Sequence, residues 1–592
     1  MAKSDLRIDI LGTSITISTD EEPEYLNMLL EKYRGTIENV QRISGLKDPL
    51  KAAVLTGFLL CDDLEKAGTV RIGEKERGEA EQITLGMISR LDAALKVSDL
   101  EDLSQSRKDT EDAERNPLPE DSSSSLCASA PLRDDESGNN VPHKAPCAFY
   151  KLQNTIKNYD WGSPEWIPAL LGQENPSRLP WAELWMGANP AGPSRVTLPG
   201  ESETSLLLSE LIEQDRTAFL GKETAENFGK LPFLFKVEAA AKPLSIQAHP
   251  NLRQAQEGFE RENREGIPLD APNRNYRDCN HKPEISCALG PFVVLCGFRE
   301  AKKASVLIAT LLSEIYSGGI YFADGESALK SSLESLISAL EQSDENPFKA
   351  FLESLFSLNA QALQALGSFI KSRQPLLERK FPQYKDEWYL CSYLSGLYPG
   401  DPGIIAPLYL NIIELAPGEA MYLPAGVLHA YIHGMGIELM ADSDNVLRGG
   451  LTSKHVDVKE LLNILDYSEY RPEILKLPEP APAWYSYPAP AGEFTLSVMH
   501  SRGGSVAYPG GNLDPGGPRT QVQESGPSIV IVTQGCATVT ENENGDEMIL
   551  NTGESVFIPA REKANLKFSG IFTAYVAAAP AAPDHFKWPD IF

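Results

Sequence analysis

Two short segments of this chain carry the same polar alternation, and a long helical stretch separates them. In Leu244-Ser245-Ile246-Gln247-Ala248-His249 the residues Ser245, Gln247 and His249 alternate with apolar neighbours. In Leu428-His429-Ala430-Tyr431-Ile432-His433 the residues His429, Tyr431 and His433 do the same. Strand side chains point to alternate faces, so each segment sets its polar atoms on one side and its apolar atoms on the other. Between them, residues 301–378 switch to helical spacing. Leu307, Leu311 and Ile315 form one stripe, Leu329, Leu333, Leu336 and Leu340 a second, and Phe348 to Ile370 contain a third. Strands of one kind on both sides of a helical block indicate one β domain with a helical insertion. A third segment, His281-Lys282-Pro283-Glu284-Ile285-Ser286, places Lys282 and Glu284 on one strand face. Brought together, these faces offer two imidazoles, a carboxylate and an amide, a donor set suited to a divalent metal with room for a substrate.

The rest of the chain falls into further units. At 592 residues it exceeds what one core supports, and two to four domains are expected. Residues 1–97 form one unit. Ile8, Ile10, Ile15 and Ile17 alternate around Gly12, predicting two short strands. Pro23 opens a helix with Leu26, Leu29, Leu30, Tyr33, Ile37, Val40 and Ile43 inward, and two more amphipathic stripes follow as far as Leu95. The unit contains no His and no cluster of catalytic groups, so a small α/β module that dimerises through its helices is the plain reading. Residues 98–147 are dense in Asp, Glu, Ser, Asn and Pro and lack periodicity. They read as a disordered acidic linker. Residues 148–300 and 379–479 read as the two parts of the β domain, with strand character resuming at Leu408. Residues 480–592 read as a second set of strands between Gly-rich turns.

Charge and cysteine content narrow the partners. The net charge of −29 argues against nucleic acid, whose phosphates require clustered Lys and Arg. A phosphate site here must be a local exception. Eight Cys without a CxxC pair fit reduced thiols in a cytoplasmic protein. The N-terminal run MAKSDLRIDILG lacks the apolar core of a secretion signal, and no run approaches the roughly 18 apolar residues of a membrane span. A cytoplasmic protein without membrane contact is expected.

The segment Pro417-Gly418, then Met421-Tyr422-Leu423-Pro424-Ala425-Gly426, then His429, resembles the second half of the cupin metal motif. Five motifs in order are more specific: Tyr159-Asp160-Trp161-Gly162, Ala182 to Gly187 (AELWMG), Leu244 to Pro250 (LSIQAHP), Asn280 to Glu284 (NHKPE), and Arg448 to Thr452 (RGGLT). Together they closely resemble the type I mannose-6-phosphate isomerases over residues 148–592. The resemblance implies a mainly β fold with two cupin jelly rolls and an inserted α-helical domain, in addition to the small N-terminal α/β module. It implies a zinc-dependent interconversion of mannose 6-phosphate and fructose 6-phosphate, with one Zn2+ per chain held by Gln247, His249, Glu284 and His429. It further implies a proton shuttle at Glu438 or a metal-linked water, with Arg448 on the substrate anion or the developing enediolate. His281 and Asp444 are expected to assist ring opening. Lys236, Lys282, Lys454, Ser245 and Tyr431 are expected to contact substrate, and His433 to stand at the rim. Asn189 and Ser453 depart from the family pattern, where His and Pro are common. In residues 480–592, Ser528 to Val532 and Gly553 to Ala560 are again cupin-like. Arg561-Glu562-Lys563 stands where a metal cupin supplies His, so a metal-free domain is expected.

The N-terminal segment IDILGTSITIS, its long amphipathic helix and the run LKAAVLTGFLLCDDLEK resemble ZapA, a bacterial cell-division protein. That resemblance implies homo-oligomerisation and binding to a tubulin-like division GTPase. Two alternatives stand beside the isomerase reading. One is another metal-dependent cupin enzyme, such as an oxygenase. The other is a sugar-phosphate sensor without catalysis, linked to division.

Overall fold

A computed structural model of the chain describes residues 4–10, 13–19, 147–197, 205–317, 326–342, 346–508, 526–541, 545–560 and 566–580. The chain divides into two compact units, residues 1–123 and 124–592. In the first, strands Ser4–Ile10 and Thr13–Thr19 pair antiparallel, with Leu6 opposite Ile17 and Ile8 opposite Ile15. The alternation around Gly12 is thus a strand pair. The three expected helices, the linker up to residue 146, and Arg561 to Lys563 lie outside the described residues.

The second unit is built on two large sheets and a helical insertion. A ten-stranded sheet runs Leu410–Leu415, Phe292–Phe298, His429–Ala441, Phe233–Ala240, Glu183–Met186, Thr155–Lys157, and four short strands attach off this path. The strand His429–Ala441 is its spine. Its first half pairs with Phe292–Phe298, and its second half lies between Phe233–Ala240 and Glu284–Ala288. Every residue of Phe233–Ala240 (FLFKVEAA) is buried, as expected of a central strand covered on both faces. Lys236 and Glu238 are therefore buried charges on an otherwise apolar strand.

The nine-stranded second sheet is not drawn from residues 480–592 alone. Tyr150–Gln153 pairs with Ser555–Ile558, and Arg195–Thr197 and Ser205–Leu207 extend the same sheet. One apolar cluster contains Leu184, Phe235, Ile437 and Leu439 from the first sheet and Leu496, Ile529, Ile531 and Phe557 from the second. The two sheets share this core.

The insertion is longer than its sequence stripes suggest. Helices Ala301–Ser317, Glu326–Gln342, Pro347–Ser357 and Ala360–Lys380 are followed by Lys385–Leu397, and the next strand begins at Leu410. The extra helix buries Trp388, Cys391 and Leu394 at helical spacing, but its aromatic-rich sequence hides that stripe. The charged stretch after His249 contains the helix Leu252–Arg264. Asn251 accepts from the Gln254 amide and Gln254 returns the bond, a reciprocal cap that fixes the first turn.

Candidate active site

Strand register assembles the site. His429 opens its strand with Gln247 directly opposite, and Gln247 in turn faces Arg448 on the strand Leu447–Gly450. Glu284 opens Glu284–Ala288 and faces Met440 on one side and Leu423 on the other. The outcome is a buried cluster of His249, Glu284 and His429, whose ligand atoms all lie within 4.8 Å of one another. His249 Nε2 is 3.3 Å from Glu284 Oε1, and His429 Nε2 is 3.4 Å from Glu284 Oε2.

Both imidazoles are oriented from behind. His249 Nδ1 lies 2.8 Å from the Asn445 carbonyl oxygen, and His429 Nδ1 lies 3.0 Å from that of Val427. A carbonyl can only accept, so Nδ1 carries the proton and the Nε2 lone pair is free. Both Nε2 atoms and Glu284 Oε2 are buried without a hydrogen-bond donor, and Glu284 Oε1 has only the Lys282 ammonium as an ion-pair partner. Buried acceptors left so are costly unless a cation occupies the space between them, so the donor set fits a divalent metal. Burial lowers the His249 pKa to about 4, with the Glu284 charge opposing, so this imidazole is neutral at pH 7. Burial disfavours the Glu284 charge, but the Lys282 ammonium beside it outweighs this and holds the carboxyl well below its ordinary range. Lys282 Nζ stands 3.0 Å from Glu284 Oε1.

A cleft of about 760 Å³ opens beside this cluster, and Gln247, Lys282 and Ser245 are in its wall. One side of the cleft is cationic. Arg277, Arg448 and Lys454 line it, and none has an ion-pair partner among the described residues. Burial and the Arg277 charge push the Arg448 pKa down. Burial, Arg448 and Arg277 do the same to Lys454. In a chain of net charge −29, three unpaired, mutually repelling cations mark a site for an anion. The turn between Arg448 and Lys454 is tied by Asp401, which accepts from the amides of Gly403 and Leu451 at 2.7 Å each. Gly450 (φ +134°) is required there, since a Cβ would stand 2.7 Å from Asp401 Oδ1.

The cleft is also lined by a row of cross-strand neighbours, Trp185, Lys236 and Glu438. Lys236 Nζ is 2.7 Å from Glu438 Oε2, and the Tyr431 hydroxyl donates to Glu438 Oε1 at 2.9 Å. Burial opposes the Lys236 charge, but Glu183, Glu438 and Glu238 hold its pKa well above the ordinary lysine value.

Most of the expected residues converge here: Gln247, His249, Glu284 and His429 at the cluster, and Lys236, Ser245, Lys282, Glu438, Asp444, Arg448 and Lys454 around the cleft. Three do not reach it as expected. His281 is absent from the cleft wall and pairs with Glu493 at 2.6 Å, a residue of the C-terminal segment. Tyr431 is buried beneath the cleft and acts on Glu438 rather than facing the cavity. His433 leaves the site, because the ladder slips by one residue between Tyr431 and His433. Its ring packs edge-on against Trp166, 5.1 Å away. Asn189, where His is common, donates to Asp442 at 2.7 Å, and Lys230 takes the other Asp442 oxygen at 2.6 Å. Asp442 is thus engaged and does not neutralise Arg448. Arg277, Glu183 and Glu238 were not singled out from the sequence. A basic residue four positions before His281 was the available signal for Arg277.

Comparison with known proteins agrees with this geometry. Residues 149–301 match the family model described as phosphomannose isomerase type I, catalytic domain. Residues 6–114 match that of cell division protein ZapA. The chain is 37% identical over 417 residues to the mannose-6-phosphate isomerase of Escherichia coli (strain K12), covering 70% of this chain and 95% of that protein. The Salmonella typhimurium enzyme is 38% identical over 414 residues, with the same coverage. A crystal structure of Salmonella typhimurium mannose 6-phosphate isomerase bound to fructose 6-phosphate and zinc superposes with a TM-score of 0.61 at 33% identity. It covers 73% of this chain and all of that one. No helix among the described residues is long and apolar enough to cross a membrane. With the site's geometry and these relatives in agreement, the chain belongs to the type I mannose-6-phosphate isomerases, and its N-terminal segment matches a cell-division family.

Proposed function

We propose that this chain interconverts mannose 6-phosphate and fructose 6-phosphate, with zinc held by His249, Glu284, His429 and Gln247. The carrying observation is the set of orphaned buried acceptors on His249, Glu284 and His429 beside a cleft lined by three unpaired cations. Zinc held there would supply a Lewis acid to polarise the substrate's carbonyl oxygen. Arg448, Arg277 and Lys454 bind the phosphate dianion and so fix the far end of the sugar. Glu438 takes the C2 proton of the open-chain aldose and returns it to C1, while the O2 hydroxyl proton passes to O1, by way of a cis-enediol. Tyr431 and Lys236 hold the Glu438 carboxylate in place from its two oxygens. Lys282 braces Glu284 and lines the cleft. Asp444, exposed at the cleft wall, is the acid–base group left for ring opening once His281 is committed to Glu493.

The test is turnover by the purified full chain. Activity should vanish on chelation, return with zinc, and fall by about 1,000-fold or more in His429→Ala. Turnover that survives chelation would overturn the metal assignment. A folded, zinc-loaded chain that binds hexose 6-phosphate without converting it would favour a sensor.

For residues 1–97 we propose self-association and contact with a tubulin-like division GTPase, supported by the match over residues 6–114. The full chain should sediment as an oligomer and with division polymers, and the chain lacking residues 1–97 should do neither. Equal behaviour of the two would sink the idea.

A further inference from the structure

More carboxylates surround Lys236 than one buried ammonium can balance. Its Nζ lies 2.7 Å from Glu438, 3.6 Å from Glu183 and 3.7 Å from Glu238. All four side chains are at most 8% exposed, so water does not screen them. Glu438 has both oxygens engaged, by Tyr431 and by Lys236. Glu183 Oε2 accepts from the Trp185 indole N–H at 2.7 Å. Glu238 Oε2 is buried and accepts from no donor. Register explains the crowding: Glu183 faces Glu238 across one strand pair, and Lys236 faces Glu438 across the next.

Glu238 and Glu438 flank the same ammonium, 3.7 and 2.7 Å from Lys236 Nζ. Two charged carboxylates so placed repel each other. One proton between them turns the contact into a bond and gives the orphaned Glu238 oxygen a role as donor.

We propose that Glu238 is a positioning residue that works as the neutral acid, donating its proton toward Glu438, so that Lys236 serves two charged carboxylates rather than three and Glu438 keeps its aim into the cleft. The proposal rests on the isomerase reading of this cleft. Glu238 touches no reacting atom in it. The groups facing it are Lys236 on its own strand, Glu183 and Glu438 on the flanking strands, Tyr431 behind Glu438, and Tyr159 from the loop above. Burial and the Glu438 charge raise its pKa well above the ordinary carboxylate value, with Lys236 opposing.

Replacing the acid by its neutral isostere separates this from a generic structural role. Glu238→Ala should lower kcat by about 100-fold with KM for mannose 6-phosphate changed far less, and Glu238→Gln should restore kcat to within about five-fold of wild type. The wild-type kcat should fall on the alkaline side as Glu238 loses its proton, and Glu238→Gln should lack that limb. A carboxyl whose pKa is raised by folding costs nothing below its unfolded pKa. Its penalty grows as pH rises from there toward the folded value. The Tm of Glu238→Gln relative to wild type should therefore climb from an acid baseline as pH increases through the same window. This readout needs no turnover, so it stands even if the reaction assignment fails, and it needs only the Gln variant to fold. A Tm difference that is flat with pH, a Gln variant as impaired as the Ala variant, or an Ala variant as active as wild type would overturn the proposal.

Discussion

At the residue scale, what distinguishes a ligand or anchor from a satisfied polar side chain is where its other bonds go. His249 and His429 spend Nδ1 on backbone carbonyls, which leaves Nε2 with nothing but a cation to bind. His281 and His433 have the same chemistry but are satisfied elsewhere, by Glu493 and Trp166. The motif spacing made His249, Glu284 and His429 legible in the sequence, because each sits at a fixed offset in a short strand. Arg277 was not legible, because only the fold brings it beside Arg448 and Lys454. Its expected role is remote from C1 and C2. Arg277→Ala should therefore raise KM for hexose 6-phosphate about ten-fold with kcat nearly unchanged, on the scale of one charged hydrogen bond. Steady-state kinetics across a salt series provide the check. An unchanged KM, or a loss confined to kcat, would remove Arg277 from the phosphate site.

At the element scale, the strand His429–Ala441 decides which side chains face the cleft. Period-two alternation alone would put His429, Tyr431 and His433 on one face. The ladder slips between Tyr431 and His433, so beyond that point the cleft-facing parity passes to Glu438 and Met440. A one-residue irregularity is thus what lets Tyr431 meet Glu438 seven residues later. Gly434 follows the slip at φ +136°, and a Cβ there would stand 2.5 Å from Phe292 Cδ2 and 2.6 Å from the Pro291 carbonyl oxygen. Gly434→Ala should cost about 2 kcal/mol or more, from strained backbone and overpacking together. It should also impair kcat by disturbing Glu438. Denaturant melts and kinetics on one preparation test both, and a variant as stable as wild type would contradict this account. The helix Leu252–Arg264 escaped notice for a different reason. It buries only Ala255, Gly258 and Glu262. A Glu262–Arg274 ion pair of 2.9 Å and the packing of Tyr276 on Gly258 hold it, rather than an apolar stripe.

At the scale of the whole molecule, the chain is two compact units, and the larger one does not divide along its sequence. Tyr150–Gln153 completes the sheet that Ser528–Glu541 and Leu566–Ala578 build, and one apolar cluster joins both sheets. The His281–Glu493 pair links the segment carrying Lys282 and Glu284 to the C-terminal strands. The described residues of 480–592 thus pack as part of the larger unit rather than as an appendage. The division into separate units also bears on the N-terminal segment. Removing residues 1–97 should leave the isomerase Tm and kcat within error of the full chain while abolishing association. A fall in either alongside the loss of assembly would show that the two parts depend on each other.

The sequence by itself determined the chemistry of the larger unit. Donor residues at strand offsets, a helical block between like strands and five ordered motifs are local patterns, and local patterns survive without knowledge of the fold. Only the tertiary structure decided which of those donors meet. It turned His281 and His433 away, brought in Arg277, and placed Glu183, Glu238 and Glu438 around one lysine. The reason is physical: register, a one-residue slip and the pairing of strands hundreds of residues apart set distances of a few ångströms, and the alternation of neighbouring residues carries no information about them.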